Sequence, residues 1–241
     1  MSPKGRPEGE SGPKRVSAEG TPVSAALAVR PRAVVFDMDG LMLDTEPLAA
    51  RAWLVAARQI GVAFDAAVNP SLVGRTFSDC RTLILEHHGP GYPVDTLMGA
   101  WHGAYDDLVE REGLVLKPGL HELVDWLERE RVPRAVATST RRTRACAKLE
   151  RVALLSRFAA LVGGDEIARG KPAPDIFLEA AARLGVPPAA CLVLEDSAPG
   201  LAGAIAAGMS AIMVPDRAAP PPLIAGRAPT VMASLVDVRL Y

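Results

Sequence analysis

The chain has 241 residues, 27 Lys and Arg against 28 Asp and Glu, 49% hydrophobic residues and only 5% aromatic ones. That length can bury a sizeable core in one or two domains, so the fold need not lean on disulfides or a structural metal. A net charge of −1 and so few aromatic residues exclude bulk attraction to nucleic acid or an anionic membrane, and neither is expected as a partner.

Residues 1–32 hold five Pro, four Gly, six Lys or Arg and three Asp or Glu, with no hydrophobic period before position 23. Such a segment cannot repay its ordering entropy and reads as a disordered tail. The short apolar stretch at 23–29 is too brief for a secretory core. No apolar run approaches the ~18 residues of a membrane span. Three cysteines, Cys80, Cys146 and Cys191, form no CxxC pair, which fits a reducing cytoplasm.

From Ala33 the chain alternates. Ala33-Val34-Val35-Phe36 is continuously apolar, as expected of a strand covered on both faces. A long interval without a strand follows. It is filled by helical patterns, one from about Pro47 to Ile60, one after Ser78 as N-cap, and one carrying Leu97, Trp101, Tyr105 and Leu108. Leu120, Leu123, Val124 and Leu127 then mark an amphipathic helix. Further strands are expected around Ala135–Ala137, Ala159–Val162, Cys191–Leu194 and Ala211–Val214. Helices between them end at Gly185 and Gly208, which are C-cap signals.

Alternating strands and helices predict an α/β fold: a doubly wound, parallel-sheet (Rossmann-like) core with an inserted all-helical cap domain. The expected division is a tail at 1–32, a core formed by 33–46 and 117–241, and a cap at 47–116. A block inserted after the first strand would stand over the sheet's carboxyl edge, where open α/β sheets bind ligands.

Polar residues gather at that same edge. The first strand runs into Asp37-Met38-Asp39-Gly40, and a later one ends in Glu195-Asp196. Four acids on one edge repel each other, and a hard cation such as Mg²⁺ relieves that repulsion. Thr138-Ser139-Thr140 offers hydroxyls and backbone N–H groups to an anion, or an N-cap to the helix beginning near Arg141. Gly170-Lys171-Pro172-Ala173-Pro174-Asp175 places a lysine on a proline-stiffened loop, with Pro174 expected at N1 of the next helix. Lys117 and Asp125 read as solvated residues on helix faces. His87, His88 and His102 show no zinc-site spacing.

These segments resemble the four motifs of the haloacid dehalogenase (HAD) superfamily. They are Asp37 to Leu41 with Asp44 to Pro47, then Thr138-Ser139, then Gly170 to Asp175, then Glu195-Asp196-Ser197. The most similar branch is that of the helical-cap phosphatases and β-phosphoglucomutase. The resemblance covers about residues 33–215. It implies that Asp37 is the nucleophile and that Asp39 is the general acid and base. It implies that Thr138, Ser139 and Lys171 bind the phosphoryl group, and that Lys171 also pairs with Asp37. Mg²⁺ is expected on Asp37, Asp196 and the Asp39 carbonyl, with Glu195 behind it or bridging through water.

Asp39 points away from dehalogenation, because dehalogenases lack an acid at that place. The mutase branch carries a histidine where this chain has Ala49, which favours hydrolysis. In the cap, Val73-Gly74-Arg75-Thr76 resembles a loop that faces the active site, and Arg75 is a candidate substrate contact. The implied activity is an Mg²⁺-dependent phosphatase for a small phosphate monoester, a sugar phosphate or similar metabolite, located in the cytoplasm. The alternatives are a phosphomutase and a non-catalytic regulator that binds metal or phosphate. Oligomeric state is left open.

Overall fold

Strand β1 (Ala33–Phe36) alternates its side chains between two buried faces, which is why its sequence is apolar without interruption. Val34 and Phe36 join one core cluster, Ala33 and Val35 another. The computed structural model of the chain describes residues 30–72, 77–216, 219–224, 226 and 229–238. In chain order β1 is followed by α1 (Glu46–Gln59), α2 (Asn69–Leu72), α3 (Phe77–His88) and α4 (Val94–Glu112). Then come α5 (Leu120–Arg129), β2 (Arg134–Ala137), α6 (Arg142–Arg151), β3 (Ala160–Val162) and α7 (Asp175–Leu184). The chain continues through β4 (Cys191–Glu195), α8 (Ala198–Ala206), β5 (Ser210–Met213) and β6 (Thr230–Val231).

The described strands form one parallel sheet in the order β3-β2-β1-β4-β5-β6. This is the doubly wound order, and it reverses direction between β1 and β4. On one face α5 lays Leu120, Leu123, Val124 and Leu127 against Phe36, Val136 and Leu194. Each such buried side chain is worth about 1.5–3 kcal/mol. On the other face the sheet presents Ala33, Ala135 and Ala137, and α7 packs Ile176, Phe177, Ala180 and Ala181 there. Gly185 ends α7 with φ +66°.

Helices α1, α3 and α4 bury Leu48, Ala52, Trp53, Ile84, Leu97, Tyr105 and Leu108 in a cluster of their own. The two chain segments joining them to the sheet lie side by side. Leu43 bridges Leu116, Asp44 N donates to Val115 O at 2.9 Å, and Lys117 N donates to Met42 O at 2.9 Å. Among the described residues no helix is long and apolar enough to cross a membrane.

Several expectations need correction. The tail lies outside the described residues up to position 29, but Arg30 and Arg32 belong to the folded body. Arg30 donates to Glu130 at 2.5 Å, and Arg32 N donates to Ala190 O at 2.8 Å. Lys117 is no solvated residue, for its ammonium lies 2.5 Å from Asp216 and 3.7 Å from Asp44. Asp125 stays on the exposed face of α5, as expected, while accepting from Arg157 at 2.6 Å. Helix α1 opens at Glu46, one residue before the expected Pro47, and α3 begins at Phe77, ahead of Ser78. Pro174 is the N-cap of α7, one place before N1. Strand β6, only two residues long and half-buried, carries too little pattern to be read from sequence.

Candidate active site

The order reversal opens a crevice at the carboxyl ends of β1 and β4, and the acids lie there because each follows directly from a strand. Asp37 is the first residue after β1, Glu195 is the last of β4, and Asp196 follows it. Their carboxylate oxygens lie within 4.8 Å of one another. Two glycines make room for this crowding. Gly40 turns with φ +92° against the Asp196 carboxylate, and Gly200 leaves the space that the Glu195 carboxylate occupies. A Cβ at either position would collide with the acid.

Lys171 reaches this cluster from the loop between β3 and α7. Its ammonium donates to Asp37 Oδ1 at 2.5 Å, to Glu195 Oε1 at 2.6 Å and to Ala137 O at 3.2 Å. Glu195 is fully buried, and its other oxygen accepts from Ser197 N at 2.7 Å and Ser197 Oγ at 2.8 Å. Both Glu195 oxygens are therefore engaged by protein donors. Ser197 also caps α8 by accepting from Gly200 N at 3.2 Å.

The electrostatics follow from burial and crowding. Burial raises the Asp37 carboxyl to about 7, against the pull of Lys171 and with the push of Glu195. Burial, then the charges of Asp37 and Glu195, lift Asp196 to about 9. Burial also opposes the Lys171 charge, but Asp37 and Glu195 more than offset it and hold the ammonium above the ordinary lysine value.

Asp39 is held differently. Its Oδ1 accepts from Lys148 Nζ at 2.6 Å and Thr45 Oγ1 at 3.0 Å, and its Oδ2 accepts from Thr140 Oγ1 at 2.7 Å. Burial opposes its charge, yet Lys148 and the two hydroxyls keep the carboxyl below its ordinary range. Thr138 is buried beside it, and its Oγ1 accepts from Thr140 N at 3.1 Å. That bond closes a local turn. It replaces the expected side-chain cap: Arg141 at the N-cap of α6 makes no side-chain cap bond, and Arg142 N donates instead to Asp165 Oδ1 at 2.7 Å.

A cavity of about 690 Å³ joins these groups to the helices above. Asp37, Asp39, Thr138, Ser139, Lys171, Glu195 and Asp196 line its lower part, and Trp53, Phe77, Trp101 and Tyr105 line its upper part. The structure thus brings together every core residue singled out from sequence. Arg75 and its loop lie outside the described residues. Trp53 is buried in the helical core as well as lining the cavity.

Sequence reasoning missed the partners of Asp39. Thr45 stands inside a quoted motif segment without a role, and Thr140 is read only as one of the hydroxyls offered to an anion or a helix cap. The signal for Lys148 is fainter: it flanks the Ala145/Leu149 stripe that α6 buries.

A doubly wound sheet carrying an acid cluster and a buried lysine at its switch point, roofed by helices, is the architecture of a HAD-type hydrolase. The chain belongs to the haloacid dehalogenase-like hydrolase family, whose pattern it matches over residues 31–208. It is 35% identical over 191 residues to β-phosphoglucomutase of Bacillus subtilis, covering 76% of this chain and 83% of that one. It is 35% identical over 215 residues to the "Probable pseudouridine-5'-phosphatase" of Drosophila melanogaster, covering 85% and 90%. CbbY from Rhodobacter sphaeroides, solved in complex with phosphate, superposes with a TM-score of 0.72 at 28% identity, over 86% of this chain and 96% of that one. The chain spans 54% of the length of another relative, the bifunctional riboflavin kinase/FMN phosphatase of Arabidopsis thaliana, to which it is 32% identical.

Proposed function

We propose that this protein is an Mg²⁺-dependent phosphatase that hydrolyses a small phosphate monoester, a sugar phosphate or similar metabolite, through an aspartyl-phosphate on Asp37. The observation that carries this reading is the buried contact of Lys171 with Asp37 and Glu195 beside Asp196, at the sheet's switch point. The relative named as a phosphatase over 90% of its length supports it.

In the proposed reaction Asp37 attacks phosphorus through a carboxylate oxygen. The bond from phosphorus to the ester oxygen breaks, and its electron pair stays on that oxygen, which takes a proton from Asp39. The arriving phosphate adds negative charge near Asp39 and so favours its protonated form. Water then attacks the phosphoryl group on Asp37 and gives a proton to Asp39. Inorganic phosphate leaves and Asp37 is restored. Lys171, Thr138 and the Ser139 amide bind phosphoryl oxygens and orient them. The helical block at 47–116 acts as a cap that excludes bulk water, with Arg75 as its candidate substrate contact.

The acid cluster fits a hard divalent cation, because its oxygens are close, and burial together with their mutual repulsion lifts Asp196 to about 9. Asp37, Asp196 and the Asp39 carbonyl would hold Mg²⁺, with Glu195 behind them. When bound, the ion supplies positive charge that offsets the carboxylates and the phosphoryl oxygens.

The sign of a pH effect follows. Raised carboxyls bind more protons folded than unfolded, so the cation-free protein loses stability as pH rises from the ordinary carboxyl value of 3.8 up to about 7 for Asp37 and about 9 for Asp196. A cation competes with those protons. Saturating Mg²⁺ is therefore expected to raise the melting temperature more at pH 8 than at pH 6, by thermal unfolding. An equal shift at both values would remove the acid cluster as the binding site.

The decisive assay is phosphate release from a panel of monoesters, with and without Mg²⁺. Release that depends on Mg²⁺ is the expected result. The similarity to β-phosphoglucomutase favours a second reading, a phosphomutase. Ala49 lines the cavity at the place where that branch carries its histidine, which speaks for hydrolysis. Isomerisation of β-glucose 1-phosphate without free phosphate would establish the mutase instead. Silence across the panel would leave a non-catalytic regulator. Free cysteines at 80, 146 and 191 support a reducing, cytoplasmic setting.

A further inference from the structure

Asp39 must be aimed as well as present, because proton transfer fails when the acid is displaced by about an ångström. Three segments converge on its carboxylate: Thr45 from the start of α1, Thr140 from the loop after β2, and Lys148 from the middle of α6. The hydroxyls can rotate and can each donate or accept, so they do not fix which way the carboxylate faces. An ammonium only donates, and a buried one cannot leave its partner without stranding two charges. The Lys148 side chain is 12% exposed.

The same lysine touches the helical block. Its Nζ stands 5.0 Å from the centre of the Tyr105 ring on α4. On either side along α6, Arg144 pairs with Asp106 at 2.5 Å and Arg151 pairs with Glu110, both on α4. The face of α6 that carries Lys148 is therefore the face on which α4 is seated.

We infer that Lys148 is a positioning residue for the proposed reaction: it aims the Asp39 carboxylate at the ester oxygen and ties that aim to the seating of α4 through Tyr105. The inference rests on the reading of Asp39 as the acid–base group. With Lys148 gone, the electron pair of the breaking bond would stay on an alkoxide that no aligned acid protonates.

The test compares two esters that share a phosphoryl group. p-Nitrophenyl phosphate releases a stable phenolate that needs no proton. Glycerol 3-phosphate releases an alkoxide that does. Lys148→Met is expected to lower kcat for glycerol 3-phosphate about 100-fold, with little change in KM. The first-turnover burst of p-nitrophenolate, which precedes the water step that Asp39 also serves, should fall less than about tenfold. Lys148→Arg, which keeps a cation, should recover part of the lost kcat. Circular dichroism checks that both variants are folded.

Equal losses on both esters in the first-turnover rate of ester-bond cleavage would mean a structural role and overturn the inference. So would an unchanged kcat with a raised KM, which would make Lys148 a substrate contact. Wild-type protein that releases phosphate from neither ester would instead remove the phosphatase reading on which the inference stands.

Discussion

Asp37→Asn is expected to abolish phosphate release, with a loss of at least about 10³-fold. The substitution keeps size and shape, so the strand-end geometry survives. The amide has no carboxylate electron pair with which to attack phosphorus. Lys171 also loses its charged partner at 2.5 Å and can no longer orient the nucleophile. Two measurements check this. Steady-state release should vanish for every ester that the wild type accepts. Mass spectrometry after acid quench should find the phosphorylated enzyme in the wild type and none in the variant. A variant with normal turnover would exclude a covalent intermediate on Asp37.

Lys171→Met should cost both activity and stability. Lys171 is 6% exposed and holds two carboxylates at 2.5 and 2.6 Å. Its removal leaves Asp37 and Glu195 facing each other with no cation between them. Breaking a buried pair in this way typically costs about 3–5 kcal/mol. Losing a preorganised charge at a reacting phosphoryl group costs about 10²–10³-fold in kcat. The stability loss should shrink on acidification, because stranded carboxylates escape their repulsion by taking up protons. Urea unfolding at pH 5 and pH 7.5 reads this directly. A deficit that grew toward low pH would contradict the electrostatic account.

Much of this arrangement was legible in the sequence. The acids and hydroxyls that form the site follow strands, and a parallel sheet brings the ends of all its strands to one edge. Reading Asp37, Thr138 and Asp196 as strand-end residues was therefore enough to bring them together, with no knowledge of side-chain packing. The amphipathic stripe of α5 and the glycine ending α7 were equally plain, because helical periodicity and a left-handed cap are local.

Other contacts were hidden for a physical reason. Lys148 meets Asp39 across 109 positions, and only the rotation of α6 on the sheet decides that its ammonium points inward. Lys117 meets Asp216 across 99 positions, through a loop whose path no pattern announces. Arg30 and Arg32 sit in a stretch of tail-like composition, yet Arg32 is held by a backbone bond to Ala190, in the turn just before β4.

By itself, the sequence determined the order of strands and helices, the place of the inserted helices, and the chemical groups that each strand delivers to its end. These depend on local periodicity and on what a parallel sheet permits. The tertiary structure alone decided how the other carboxylates are shared: Glu195 joins Asp37 on Lys171, and Asp39 goes to Lys148 and two threonines. That division depends on distances of a few ångströms between segments far apart in the chain, set by the packing of helices on the sheet.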